Sequence, residues 1–160
     1  MAAQALQDPA AWRSKFLLTM TFQNPHADMI RELLANAKTI AVVGYSPRSH
    51  RPSNVIARAL FDRGYRVIAV RPGIRAALGE PAYARLTDVP DEIDIVVVFR
   101  SAEHVPQVVE ECLQSNRRTL WLQDGVINES AALRAGAKGM TVVMDRCIAR
   151  DFRALGVVRQ

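Results

Sequence analysis

Thr39-Ile40-Ala41-Val42-Val43-Gly44-Tyr45-Ser46 reads as a buried strand that stops at a glycine turn, and Arg51-Pro52-Ser53-Asn54 then opens a helix. Hydroxyl residues and two arginines, Arg48 and Arg51, flank the turn. This is how an α/β fold builds an anion site. Backbone N–H groups are free at a helix start, a glycine permits close approach, and guanidinium groups stand nearby. The ligand such a loop suggests is a nucleotide or a cofactor that carries one.

Outward from that loop the chain alternates. Asn24-Pro25 is expected to cap a helix running to about Ala37, with Met29, Ile30, Leu33 and Leu34 at helical spacing. Pro52 to Arg63 is expected to be a helix with Val55, Ile56, Ala59 and Leu60 inward, closed by Gly64. Strands are expected at Tyr65–Val70, Ile93–Phe99, Thr119–Leu122 and Met140–Met144. Helices are expected at Ala102–Ser115, at Asn128–Ala135 with Gly136 as its cap, and from near Ala149. Between Arg71 and Pro90 the pattern is irregular, with turn signals, a short extended piece at Tyr83-Ala84 and a helical turn over Leu86–Pro90. Strands alternating with helices imply an α/β three-layer fold around a parallel sheet of about five strands. In such sheets ligands bind beyond the carboxyl ends of the strands.

Composition narrows the class. A chain of 160 residues is long enough for one domain with its own core, and 49% hydrophobic with 23% charged residues is ordinary for a globular protein. No apolar run is long enough to span a bilayer. Met1 to Asp8 lacks the basic flank and apolar core of a signal peptide, so a cytoplasmic location is expected. The net charge of +5 comes from scattered arginines, with no dense basic run and no aromatic–basic interleaving. That argues for a solvated surface and against a nucleic-acid partner, while a few arginines at loop ends could still bind phosphate. Cys112 and Cys147 match no metal spacing and no disulfide framework. Residues 1–23 show no clear period and read as an extension, with 24–160 as the domain. Within the extension Trp12, Phe16 and Leu17 would share one helical face, packing on the domain or on a second subunit.

The residues after each strand are the candidate site. Gly44 begins a loop that lacks the second and third glycines of the dinucleotide fingerprint; Ser46 and Ser49 stand there instead. A lone glycine serves a tight turn equally well, but Ser46, Arg51, Ser53 and Asn54 supply more donors than a turn needs. Arg71-Pro72-Gly73 stands where an NAD site usually has a carboxylate. An arginine suits a ribose phosphate, as in NADP at the 2′ position or coenzyme A at the 3′ position. Phe99 and Arg100 could lie along a cofactor, or Phe99 could be core and Arg100 solvated. Trp121, Gln123 and Gly125 follow the same logic, Trp121 being the more usual core residue. Cys147, beside Arg146 at a helix start, could form a mixed disulfide with a thiol ligand; a buried gap-filler is the plainer reading.

Taken in order, these segments resemble the small stand-alone CoA-binding proteins, which are similar to the CoA-binding domain of the succinyl-CoA synthetase α subunit. The matching pieces are Thr39–Ser46, Arg51-Pro52-Ser53, Gly64–Val70, Leu86–Pro90, Val98-Phe99-Arg100, Leu120–Asn128 and Val143–Cys147. The resemblance implies a Rossmann-type fold and coenzyme A as ligand. It implies that Gly44, Tyr45, Ser46, Arg51, Pro52 and Ser53 form the pyrophosphate loop. Arg71 and Pro72 would lie at the adenosine end, Phe99 and Arg100 along the cofactor, and Trp121, Gln123 and Gly125 at the mouth. Where relatives often carry lysine or a second proline, this chain has Arg71-Pro72-Gly73-Ile74-Arg75. No catalytic set accompanies the loop: the phosphorylated histidine of the synthetases belongs to another domain, and His26, His50 and His104 match nothing catalytic. The expectation is a CoA or acyl-CoA binding protein acting as a sensor or carrier, with a second copy of itself or an unidentified protein as partner and no membrane. An NADP-dependent oxidoreductase and a nucleotide-binding regulatory subunit are the alternatives.

Overall fold

Val43 pairs with Val70 on one side and with Val98 on the other, and Val98 pairs with Leu122. That register defines the molecule, because it brings the ends of the central strands to one level. The computed structural model describes residues 21–160, so the expected Trp12–Phe16–Leu17 face lies outside the described residues. The strands are β1 (Thr39–Val43), β2 (Arg66–Val70), a small hairpin of β3 (Ala76–Ala77) and β4 (Glu80–Pro81), then β5 (Ile95–Val98), β6 (Thr119–Leu122) and β7 (Thr141–Val143). The five long strands form one parallel sheet in the order β2-β1-β5-β6-β7. The helices are α1 (Ala27–Asn36), α2 (Pro52–Asp62), α3 (Val105–Gln114), α4 (Glu129–Ala137) and α5 (Ile148–Ala154).

Because strand residues alternate between faces, the sheet feeds two cores. Ala41, Val43, Ile68, Val96, Val98, Leu120 and Leu122 point to the side of α3 and α4, where Val105, Val108, Val109, Cys112, Ala131, Ala132 and Ala135 meet them. Ile40, Val42, Val67, Ala69, Ile95, Val97 and Trp121 point to α1, α2 and α5, meeting Ile30, Leu34, Ala57, Leu60 and Ile148. This is the Rossmann-like three-layer fold expected from the alternation. β1, β5 and β6 are buried at every position, as a sheet covered on both faces requires.

Several expected boundaries shift. The third long strand is shorter than Ile93–Phe99, and Phe99 already belongs to the following turn. Asn24 does not cap α1, which starts at Ala27 after His26. Its side chain instead bonds both ways to the Met144 backbone, accepting from the N–H at 2.7 Å and donating to the carbonyl at 3.0 Å. In α2 the inward residues are Ser53, Asn54, Ala57 and Leu60, while Val55 is half exposed. Gly136 lies inside α4, and the left-handed turn that ends this segment falls at Gly139. Ala102–His104 is a 3₁₀ turn preceding α3, whose first turn holds Pro106 as expected. The C-terminus is clamped by Arg159, which donates to the carbonyls of Arg63 and Ala37 and stacks 3.7 Å over the Tyr65 ring.

Candidate functional site

β1 connects to β2 in one direction, and the chain then crosses back over β1 to place β5 on its other side. The loops after β1 and β5 therefore diverge, which leaves a crevice at the carboxyl ends of these strands. Gly44, Arg71, Phe99 and Gln123 each follow directly on a strand of this sheet and share that edge. Gly44 adopts φ +83°, a left-handed conformation. A Cβ there would stand 2.9 Å from Arg100 Cγ and 3.2 Å from the Phe99 carbonyl group. Glycine is thus required twice over, by conformation and by the close approach of the β5 turn.

The loop from Gly44 to Pro52 is held from within by α2. Ser53 Oγ accepts from the Ser46 N–H at 2.9 Å, and Ser46 Oγ accepts from the Arg48 N–H at 3.3 Å. Asn54 donates to the Tyr45 hydroxyl at 3.0 Å and to the Ser46 carbonyl at 2.9 Å. This explains why polar residues occupy the inward face of α2's first turn. They fold the loop back over the helix start. The Asn54 amide is consumed in that task, and Tyr45 is buried beneath the loop. α2 begins with Pro52 and has no side-chain cap, so the positive end of its dipole faces the crevice.

A cavity of about 400 Å³ opens there, lined by Gly44, Ser46, Arg48, Arg51, Pro52, Ser53, Arg71 and Phe99. A second of about 400 Å³ shares Gly44 and Arg71 with it and continues past Tyr45, Pro72, Arg85, Arg100, Gln107 and Glu111. Among the described residues, four arginines elsewhere form ion pairs: Arg31 with Asp28, Arg66 with Glu80 and Asp91, Arg146 with Asp151, Arg150 with Asp124. The hydrogen bond from Arg150 holds the Asp124 carboxyl below its usual range, and that from Arg66 does the same for Glu80. Arg48, Arg51, Arg71, Arg85 and Arg100 form no ion pair with any described carboxylate. Arg71 only reaches the Tyr45 carbonyl, at 3.4 Å. Glu111, the one acidic residue lining either cavity, accepts from the Leu86 N–H and from Gln107. The two cavities therefore form a field of uncompensated positive charge with free guanidinium donors, suited to a ligand bearing several phosphates.

Of the expected site residues, Gly44, Tyr45, Ser46, Arg51, Pro52, Ser53, Arg71, Pro72, Phe99 and Arg100 are brought together around these cavities. Trp121, Gln123 and Gly125 are not. Trp121 is fully buried, and its indole N–H donates to the Arg146 carbonyl at 2.8 Å. Gln123 is 4% exposed, and its amide oxygen accepts from the Ile148 N–H, fixing the start of α5. Gly125 is exposed and donates its N–H to Asp145 at 2.8 Å. Cys147 is half-buried at the cap position of α5 and lines neither cavity; its neighbour Arg146 faces Asp151. Arg85 and Gln107 were not legible as site residues. Arg85 arrives because the segment after the β3–β4 hairpin returns along β2, with the Tyr83 N–H bonded to Ala69 and the Arg71 N–H to Tyr83. The extended Tyr83-Ala84 pair was the only sequence signal of that return. Among the described residues no cluster of His, Cys, Asp and Glu could hold a metal ion, and no helix is long and apolar enough to cross a membrane.

Comparison with known proteins bears on the family and the fold. The chain is 44% identical over 126 residues to the uncharacterized protein YneT of Bacillus subtilis (strain 168), covering 79% of this chain and 93% of YneT. It is 31% identical over 108 residues to acetate–CoA ligase [ADP-forming] I of Archaeoglobus fulgidus, covering 68% of this chain but only 15% of the ligase. Among solved structures, a hypothetical protein from Pyrococcus horikoshii OT3 superposes with a TM-score of 0.78 at 31% identity, covering 85% of this chain and 99% of that one. The model of the CoA binding domain family matches residues 38–153, from the start of β1 into α5, and the chain belongs to that family.

Proposed function

We propose that this protein binds coenzyme A or an acyl-CoA and carries out no chemistry of its own on it. Residues 24–160 form the binding unit, and residues 1–23 extend it. The observation that carries this reading is the set of unpaired arginines around Gly44. Arg48 and Arg51 stand at the β1 loop, Arg71 between the two cavities, and Arg85 and Arg100 in the second. The pyrophosphate would sit at Gly44, Ser46 and the start of α2, where the glycine leaves room and Arg48 and Arg51 stand beside the uncapped helix start. The ribose phosphate would meet Arg71, and Arg85 and Arg100 line the same cavity. Trp121 and Gln123 support the edge from within, and Gly125 stands clear of both cavities.

Membership of the CoA binding domain family supports the ligand, and the similarity to part of an acetate–CoA ligase supports a role beside acyl transfer. In that ligase the matched region is 15% of the whole, so the ligase's activity is not carried over to this chain. A carrier or sensor that presents CoA to a protein partner in the cytoplasm, or to a second copy of itself, fits a chain that binds CoA without transforming it. Native mass spectrometry of the protein purified under mild conditions tests the reading. The expected result is a bound mass equal to CoA or one of its thioesters. Co-purified NADP with no CoA species would overturn it.

A further inference from the structure

Glu111 is out of keeping with its surroundings. It is the one acidic residue lining either arginine-rich cavity, and a carboxylate repels the phosphates that those arginines suit. Arg85 and Arg100 line the same cavity, yet neither forms an ion pair with it. Glu111 is held from other directions. One oxygen accepts from the Leu86 N–H at 3.3 Å, and the other accepts from the Gln107 side-chain amide at 3.2 Å, one turn earlier on α3. A carboxylate has about four lone-pair sites, so two bonds leave acceptor capacity for a donor in the cavity. The Gln107 carbonyl oxygen adds a further acceptor to that wall.

The two cavities also differ in character. The first is walled by hydroxyl groups and arginines around the start of α2. In the second, buried Val43, Val70 and Val108 supply apolar surface together with Pro72 and Ala84, while Arg71, Arg85 and Arg100 supply cations. Apolar surface, cations and an acceptor-only carboxylate fit a flat heterocycle joined to a phosphorylated sugar. The ring would rest on the apolar side chains, and the sugar phosphate would meet Arg71, which both cavities share. An amino group at the ring edge would then donate to Glu111. The pantetheine arm of CoA also has N–H donors, but it carries no anion that calls for three arginines.

We propose that Glu111 and Gln107 read the base of the bound nucleotide, accepting from its exocyclic amino group, and so select adenine over a base with a carbonyl at that position. The proposal rests on the reading of the site as one for CoA. A carbonyl in that place would set its lone pairs against the carboxylate and leave Glu111 without its donor. The test is calorimetry of the full chain with CoA and with its hypoxanthine analogue, in which a carbonyl replaces the adenine amino group. It is repeated on Glu111→Gln and on Gln107→Ala. Glutamine at 111 keeps an oxygen for the Leu86 N–H and gains a donor for the carbonyl analogue. Gln107 is exposed, so its truncation spares the core. The expected result is CoA tighter than the analogue by about tenfold or more in the parent. That advantage should vanish in Glu111→Gln and shrink severalfold in Gln107→Ala. Equal binding of the two ligands to the parent would overturn the proposal and leave the CoA reading standing, as would a preference that both variants retain. Loss of both ligands alike from Glu111→Gln would make Glu111 a support for Leu86 alone and would also overturn it. Binding of neither ligand to the parent would remove the CoA reading, and the proposal with it.

Discussion

Gly44 has no room for a side chain, since Arg100 Cγ and the Phe99 backbone occupy the space where its Cβ would stand. At φ +83° a non-glycine residue is also strained. Gly44→Ala should cost about 1–3 kcal/mol in stability through that strain alone, read as a lower urea midpoint, and should weaken CoA binding further by pushing the β5 turn out of place. A variant as stable and as tight-binding as the parent would contradict the packing described. Arg51→Glu and Arg71→Glu test the charge. Each removes a free cation from the cavity wall and should weaken CoA by about 1–3 kcal/mol, the range for a charged hydrogen bond, with the unfolding midpoint unchanged because neither arginine has an ion-pair partner to lose. Unchanged affinity in both variants would remove the phosphate roles. These arginines were legible in the sequence because Arg51 directly precedes the helix after β1 and Arg71 directly follows β2. Arg85 was not, because its place depends on a backbone return that no periodicity announces. Trp121 and Gln123 stand at equally suggestive offsets, yet their polar atoms are spent on Arg146 and Ile148.

The first turn of α2 links helix formation to the site. Ser53 and Asn54 face inward because the preceding loop needs donors and acceptors more than the core needs methyl groups. The hydrophobic spacing of Val55, Ile56, Ala59 and Leu60 suggested a different inward face, and half-exposed Val55 shows the rotation. Asn54→Ala should leave the Ser46 carbonyl and the Tyr45 hydroxyl without their donor, costing about 1–3 kcal/mol in stability and slackening the loop. Calorimetry should then show weaker CoA binding although Asn54 lines neither cavity; unaltered affinity would mean that the loop holds its shape without it. Asn128 provides the contrast. Its side chain accepts from the Ala131 N–H at 3.0 Å as the cap of α4, so Asn128→Ala should cost about 1 kcal/mol and leave CoA affinity as it was. The hairpin of β3 and β4 escaped the sequence reading because two-residue strands carry no alternation to detect, only the turn at Gly79.

At the scale of the whole molecule, the alternation of apolar runs with helical segments was enough to specify the parallel sheet and the edge at which Gly44, Arg71 and Phe99 gather. Strand order required the register, since nothing in the runs themselves says that β5 crosses back over β1. The two cores also hold groups that make stability depend on alkaline pH. Burial raises the Tyr65 phenol to about 12, with Arg159 and Arg63 partly opposing it, and burial raises the Cys112 thiol to about 12. In the unfolded chain these groups lose their protons near their ordinary values of 10.0 and 9.0. The unfolded state therefore binds fewer protons across this window, and stability falls as pH rises. The contribution is intact below about pH 9 and is lost by about pH 12, which urea midpoints measured across that range would reveal; a flat profile would mean that the two groups titrate alike in both states. The central claim is that the arginine-lined edge is built for coenzyme A. Isothermal calorimetry of the full chain against CoA, NADP and NAD tests it most directly. Saturable binding of CoA, tighter than of either dinucleotide, is the expected result; saturable binding of NADP with no heat from CoA would contradict a site built for coenzyme A.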